Sequence, residues 1–218
     1  MAGEPSKPAA LRFTGVRGVI ARRMAESLAT TAQLSFFADA EASAMTAARA
    51  AWKAAGVKVG YEDLVISALA RILPDFPLFN AHEIEGEVVP QADIHVGVAI
   101  GLSGALVVPC VFDCAGKDLP TIAAERASLV ERAPRNRLTL REMSGATISL
   151  SNLGLTRVRH FTPILNRPQT AIVGLGTIGR DGTMGISLTV DHRVIDGAPA
   201  GAFLTALVEA LEAPQPLP

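Results

Sequence analysis

The run Thr189-Val190-Asp191-His192-Arg193-Val194-Ile195-Asp196-Gly197-Ala198 sets one imidazole between an acidic and a basic neighbour, with a carboxylate four residues on and a glycine directly after it. An imidazole titrates near neutral pH and can take and return a proton, so a histidine fixed at the end of a rigid strand is a natural general base. Asp196 stands just ahead of a helical pattern, where it can cap that helix or act on the site electrostatically. A second polar corner, Ser151-Asn152, ends another strand pattern, and its residue types alone read as a turn.

The remaining candidates have plainer readings. His82 sits beside Glu83 and Glu85 in a polar stretch and is expected to be solvated. His95 lies on an apolar strand as an interior residue, and His160, between Arg159 and Phe161, is open to either reading. Gly174-Leu175-Gly176-Thr177-Ile178-Gly179 matches G-x-G-x-x-G, but a further strand pattern follows, so no helix N-terminus is available to hold a pyrophosphate. The Gly-x-Ser-x-Gly elbow of a serine hydrolase is absent. Cys110 and Cys114 share an apolar stretch without a second Cys/His pair at ligand spacing; they read as reduced near-core thiols, and no metal is expected.

The elements that must position these residues follow from periodicity. Val16, Ile20, Met24 and Leu28 form one stripe of an amphipathic helix over residues 16–28, with Arg17 at its edge, where a long side chain can lie over apolar surface and present its charge. A strand is expected over 33–40, helices over 43–55 and 61–73, and a short strand at 88–89. Residues 94–100 and 105–112 read as two strands of a hairpin turning at Ser103-Gly104, with Pro109 marking an edge or a bulge. Asp118 caps a helix over 119–133 whose Glu125, Arg126, Glu131 and Arg132 are expected outside, and 138–143 is a Thr-capped helical turn. Strands over 146–150, 170–176 and 184–190 and a closing helix over 198–211 complete the chain. Helices and strands interleave without a strict βαβ repeat, which predicts an α+β fold with a mixed or antiparallel sheet.

With 218 residues, 49% of them hydrophobic, the chain is long enough to bury one sizeable core. A net charge of −1 without a long basic block, and a single tryptophan, argue against nucleic acid as a partner. Charges, Gly or Pro interrupt every apolar run before the roughly 18 residues that span a membrane, and residues 1–10 lack the apolar core of a signal peptide. The expectation is a soluble, cytoplasmic protein with no membrane partner. Residues 1–11, rich in Pro and small residues, read as a flexible tail or linker stub ahead of a single domain over 12–218.

Asp191-His192-Arg193-x-x-Asp196-Gly197-Ala198 resembles the active-site signature of the catalytic domain of dihydrolipoamide acyltransferases, the core component of 2-oxo acid dehydrogenase complexes. It also fits the H-x-x-x-D-G motif of the wider chloramphenicol acetyltransferase-like group. The likeness extends to Val16-Arg17-x-x-Ile20-Ala21-Arg22-Arg23-Met24, Val96-Gly97-Val98-Ala99, Leu106-Val107-Val108-Pro109, Ile148 to Gly154 and Phe161 to Pro168, covering about residues 12–214. Ala32-Gln33, Ala105 and Thr156-Arg157 depart from the family's usual residues and bear on substrate choice and assembly.

The resemblance implies a chloramphenicol acetyltransferase-like fold and acyl transfer between coenzyme A and a dihydrolipoyl thiol. His192 would be the general base, Ser151 the donor to the oxyanion, Asp196 an ordering residue, and Arg17 its ion-pair partner. The expectation is a catalytic domain without a lipoyl or peripheral-subunit-binding domain, the lipoyl group being carried on another domain or chain. It further implies homotrimers with His192 and Ser151 supplied by different copies, cubic or dodecahedral shells built from those trimers, and other 2-oxo acid dehydrogenase subunits as partners. Two other functions fit the same residues: a stand-alone acyltransferase acting on a hydroxyl or amine acceptor, and a non-catalytic structural core.

Overall fold

The computed structural model describes residues 12–102 and 104–215. The expected tail over 1–11, the Ser103 half of the expected turn and the last three residues of the Pro-rich end lie outside the described residues. In chain order the elements are α1 (Gly15–Thr30), β1 (Gln33–Glu41), α2 (Ser43–Ala54), α3 (Tyr61–Ile72), β2 (Ala81–Ile84), β3 (Glu87–Pro90), β4 (Val96–Val98), β5 (Ile100–Leu102), β6 (Ala105–Val107) and β7 (Cys110–Val111). Then follow α4 (Leu119–Arg132), α5 (Leu140–Ser144), β8 (Ile148–Asn152), β9 (Ala171–Ile178), β10 (Thr183–Asp191) and α6 (Gly197–Glu212).

Six strands form one mixed sheet in the order β1-β10-β9-β8-β4-β7. β8 runs parallel to both β4 and β9, and the other neighbours pair antiparallel. This is the α+β arrangement with a mixed sheet that the interleaved patterns predict. Alternation along the strands divides the sheet into two unlike faces. Ile148 and Leu150 on β8, Val173 and Leu175 on β9, and Ile186, Leu188 and Val190 on β10 are buried with α3 and α6 in the hydrophobic core. There Phe203 of α6 stacks on Phe79 at 4.2 Å between ring centroids and meets Phe76 edge-on at 5.4 Å.

The opposite face carries small and polar residues. Ser35 and Thr189 hydroxyls bond across β1 and β10 at 2.7 Å, and Ser149 Oγ donates to Gln169 Oε1 at 2.6 Å. Over this face runs the connection from β8 to β9, residues 153–170, so closely that a Cβ on Gly176 or Gly185 would come within 1.7 or 1.9 Å of the Arg159 carbonyl oxygen. A Cβ on Gly174 would meet the Phe161 ring at 2.8 Å. The glycine-rich match at 174–179 therefore serves the packing of a loop backbone onto the sheet.

The structure corrects several expectations. The α1 stripe is not buried within the chain: Val16 is 64% and Leu28 55% exposed, Ile20 and Met24 are half-buried, and only Gly18 and Ser27 are covered. The two hairpin strands each break in two, because Pro109 has no N–H for the ladder and Ala99 N–H turns to Leu150 O at 2.9 Å; β4 and β7 stay in the main sheet while β5 and β6 pair apart. His82 is not solvated. It is half-buried on β2 against Val89 of β3, with Nε2 3.2 Å from Ala146 O, and burial outweighs that bond to lower its pKa. Arg126 is not an outward charge either, since it is bidentate to the buried Asp63 and reaches Glu62 at 3.0 Å. The caps at Asp118 and Thr139 are as expected, accepting from Thr121 N at 2.9 Å and Glu142 N at 3.2 Å.

Candidate active site

β10 ends at Asp191, where a tight corner turns the chain into α6. Val194 N and Ile195 N both donate to Asp191 O, at 2.9 and 3.0 Å, and Ile195 is buried in the core. His192 N donates to Ala32 O at 2.8 Å just ahead of β1. The backbone of His192 is thus held from the neighbouring strand and anchored on its far side by an apolar side chain, while its imidazole stays 41% exposed. A fixed backbone with an accessible ring is what a general base needs. Asp196 takes the cap position of α6 with extended dihedrals (φ −75°, ψ 168°), but its side chain makes no capping bond. Its carboxylate, 88% exposed, lies 3.8 Å from His192 Nδ1, an electrostatic neighbour rather than a hydrogen-bond acceptor.

The flanking charges do the holding. Arg193 donates from Nε to both Asp191 carboxylate oxygens at 3.0 Å and from Nη2 to Oδ2 at 2.5 Å. Asp191 Oδ1 also accepts from Arg193 N at 3.1 Å and Ala32 N at 3.3 Å. Burial pushes the Asp191 carboxyl up, yet these bonds together outweigh it and hold the pKa below the ordinary carboxylate value. The same pair raises the pKa of Arg193, first through its side-chain bonds to Asp191.

Ser151 sits near the end of β8, half-buried, on the small-residue face beside Ser149. Its hydroxyl makes no hydrogen bond among the described residues, so its proton is free for a ligand. Register gives its distance from His192: Ser151 and Ser187 both pair with Gly174, and His192 is five residues beyond Ser187. At roughly 3.3 Å per residue and 4.8 Å per strand spacing, that is roughly 17 Å along the sheet and 10 Å across it. Within one chain the two groups cannot reach one carbonyl.

Arg17 also lies apart. It is exposed near the start of α1, thirteen residues before Thr30, and the end of α1 near Thr30 is the one that abuts the corner. At 1.5 Å per residue Arg17 is roughly 20 Å up the helix axis from that end. Among the described residues it makes no ion pair, and the His192 ring is the only ionic neighbour of Asp196. One chain therefore brings together His192 and Asp196 but neither Ser151 nor Arg17.

The other histidines are committed to structure. His95 Nδ1 accepts from Asp113 N at 3.0 Å, and His160 Nε2 lies 3.2 Å from both Ala38 O and Asp39 Oδ1. Asp93, His95 and Asp113 offer ligand atoms within 4.8 Å of one another, and His95 Nδ1 accepts from the Asp113 backbone N–H. Cys110 and Cys114 are free and buried, with burial pushing their thiols up to about 12 and about 11. Residue types missed Asp191 and Arg193 as the clamp on the corner; opposite charges two positions apart across a strand-ending turn were a usable signal.

A family model described as the catalytic domain of 2-oxoacid dehydrogenase acyltransferases matches residues 5–217. The chain is 35% identical, over 94% of its length, to the dihydrolipoyllysine-residue acetyltransferase component of the acetoin cleaving system of Bacillus subtilis (strain 168). It is 33% identical over 95% of its length to the succinyltransferase component of the 2-oxoglutarate dehydrogenase complex of Bartonella vinsonii subsp. berkhoffii. It covers 55% and 54% of those two proteins, so it spans about half the length of the curated relatives it matches.

Among solved structures it resembles the Azotobacter vinelandii dihydrolipoamide acetyltransferase studied for the catalytic roles of a serine, a histidine and an asparagine, with TM-score 0.89, 30% identity and 97% of both chains covered. It also resembles the cubic core of a pyruvate dehydrogenase multienzyme complex, with TM-score 0.88, 29% identity and 97% of both chains covered. A chloramphenicol acetyltransferase, 21% identical with TM-score 0.58 over 88% of this chain and 92% of that one, shares the fold.

Proposed function

As a member of the 2-oxoacid dehydrogenase acyltransferase family that matches its catalytic domain, the chain, we propose, moves an acyl group between a dihydrolipoyl thiol and coenzyme A. His192 takes the proton of the attacking thiol, and the thiolate adds to the thioester carbonyl of the other partner. Ser151 Oγ donates to the oxyanion of the tetrahedral intermediate. Collapse breaks the old carbon–sulfur bond, and the departing thiolate recovers the proton from His192. Asp196, 3.8 Å from the ring, orders the imidazole rather than accepting its proton. The Azotobacter vinelandii histidine and asparagine studied for catalysis lie four residues apart, as do His192 and Asp196, with a carboxylate here in place of the amide.

The observation that carries this reading is the division of the site: a histidine held by its backbone with its ring exposed, and an unpartnered serine hydroxyl, too far apart in one chain to act together. A homotrimer in which each site draws His192 from one copy and Ser151 from its neighbour joins them, and the uncovered α1 stripe supplies apolar surface for such an interface. Arg17 then meets Asp196 across that interface rather than within the chain.

The relatives named as complex components and the cubic core support assembly of these trimers into a larger shell that works with other 2-oxo acid dehydrogenase subunits. The lipoyl group comes from another domain or chain. No described helix is long and apolar enough to cross a membrane. Two free thiols fit the reducing cytoplasm.

His192→Ala is expected to lower coenzyme A-dependent thioester transfer by more than about 10³-fold at unchanged melting temperature. Full activity in that variant contradicts the reading. Running the assay with dihydrolipoamide against hydroxyl and amine acceptors identifies the acceptor.

A further inference from the structure

One carboxylate outside the corner grips the arginine that clamps it. Glu83, on β2 and 110 positions from Arg193, is 8% exposed. Its Oε2 accepts from Arg193 Nη2 at 3.0 Å and from Arg167 Nη2 at 2.8 Å, and its Oε1 accepts from Gly86 N at 2.9 Å. Arg167 in turn donates from Nη1 to Thr30 Oγ1 at 2.7 Å. Two guanidinium groups and two carboxylates, those of Glu83 and Asp191, thus form one charge-balanced cluster that joins the end of α1, β2, the loop before β9 and the catalytic corner.

The Arg193 side chain is 43% exposed, so its pairing with Asp191 competes with hydration of a long, flexible chain. Glu83 decides that competition, because the Nη2 that reaches Asp191 Oδ2 is the same nitrogen that reaches Glu83. Without Glu83, Arg167 and Arg193 lose their shared partner and Arg193 is free to turn into solvent. The nearly buried Asp191 carboxylate, whose backbone and side chain fix the start of the His192 turn, then loses its principal counter-charge.

We infer that Glu83 is a positioning residue for acyl transfer, holding Arg193 against Asp191 and so fixing the peptide from which His192 projects. The inference rests on His192 being the base. Its pKa fits the role: first the Gly86 N–H and then the Arg193 bond hold it below the ordinary carboxylate value, so Glu83 is charged at neutral pH. A base displaced by about 1 Å costs on the order of 10²-fold in rate, while substrates still bind.

The test uses the assembled protein with coenzyme A and an acyl-dihydrolipoamide. Glu83→Ala is expected to lower kcat by roughly 10- to 100-fold with both KM values within about threefold, and Glu83→Gln, which keeps the acceptor but not the charge, to fall in between. In the His192→Ala background, Glu83→Ala is expected to lower the residual rate no further, since it acts only through that imidazole. Should Glu83→Ala lose its melting transition, Glu83→Gln carries the same comparison. Wild-type kcat in a folded Glu83 variant, or an equal further loss without His192, overturns the inference and leaves the base assignment standing. Full activity of His192→Ala overturns both.

Discussion

The two faces of the sheet obey different rules. The helix side is closed upon itself: Ile148, Leu150, Val173, Leu188, Phe79 and Phe203 bury one another, and the aromatic stack completes a core that needs nothing from outside. The other side is built of Ser, Thr and Gly under a backbone that passes within a Cβ's reach, and its outermost helix leaves Val16, Val19 and Leu28 in the open. Stability comes from the first face. On the second face most hydroxyls are paired, but that of Ser151 makes no hydrogen bond among the described residues and the α1 stripe is exposed; the proposed chemistry draws on both. A fold that finishes one face and leaves the other open offers that other face to a neighbour, which is where the proposed site lies.

Substitutions separate the two faces in order of size. Phe203→Ala, on the closed face, is expected to cost about 3–5 kcal/mol in denaturant unfolding without altering the rate per folded site. A comparable loss from Val16→Ala in the isolated chain would erase the distinction between the faces. Ser151→Ala, on the open face, is expected to lower kcat about 10²–10³-fold, equivalent to some 3–4 kcal/mol of transition-state stabilisation, at unchanged unfolding midpoint.

The smallest effect lies at the rim of the helix side. There the Arg132 side chain, with the Thr139 cap and against the opposing pull of burial, holds the Glu142 carboxyl at about 2 against an ordinary 4.5. A carboxylate depressed in the folded state stabilises above its unfolded value and loses that contribution as pH falls through the folded one. Melting temperature should therefore drop less between pH 4.5 and about 2 in Glu142→Gln than in the parent, with transfer rates at neutral pH equal; identical acid limbs would remove Glu142 from the account.

The closed face was legible from the sequence because burial there follows periodicity: strands over 33–40, 170–176 and 184–190 and helices over 61–73 and 198–211 appear within a few residues of where they are expected. The open face was legible in its motifs but not in its contacts. The α1 stripe has the periodicity of a packed helix, yet the chain itself leaves Val16, Val19 and Leu28 exposed. His82 looked solvated because Glu83 and Glu85 flank it in sequence, whereas the partners of His82 and Glu83, namely Ala146, Arg167 and Arg193, are 64, 84 and 110 positions away. Pairings that long leave no trace in local pattern. His192 was readable from its neighbours as a candidate base, but its distance from Ser151 needed the strand register.

The claim that each active site is shared between copies is tested most directly by mixing two dead enzymes. His192→Ala and Ser151→Ala chains are co-expressed in equal amounts and the purified assemblies assayed for acyl transfer. Recovery of about a quarter of wild-type activity is expected, since each site in a cyclic trimer draws its histidine and its serine independently from two neighbouring copies. Activity no higher than that of the two variants assayed separately would contradict the shared site.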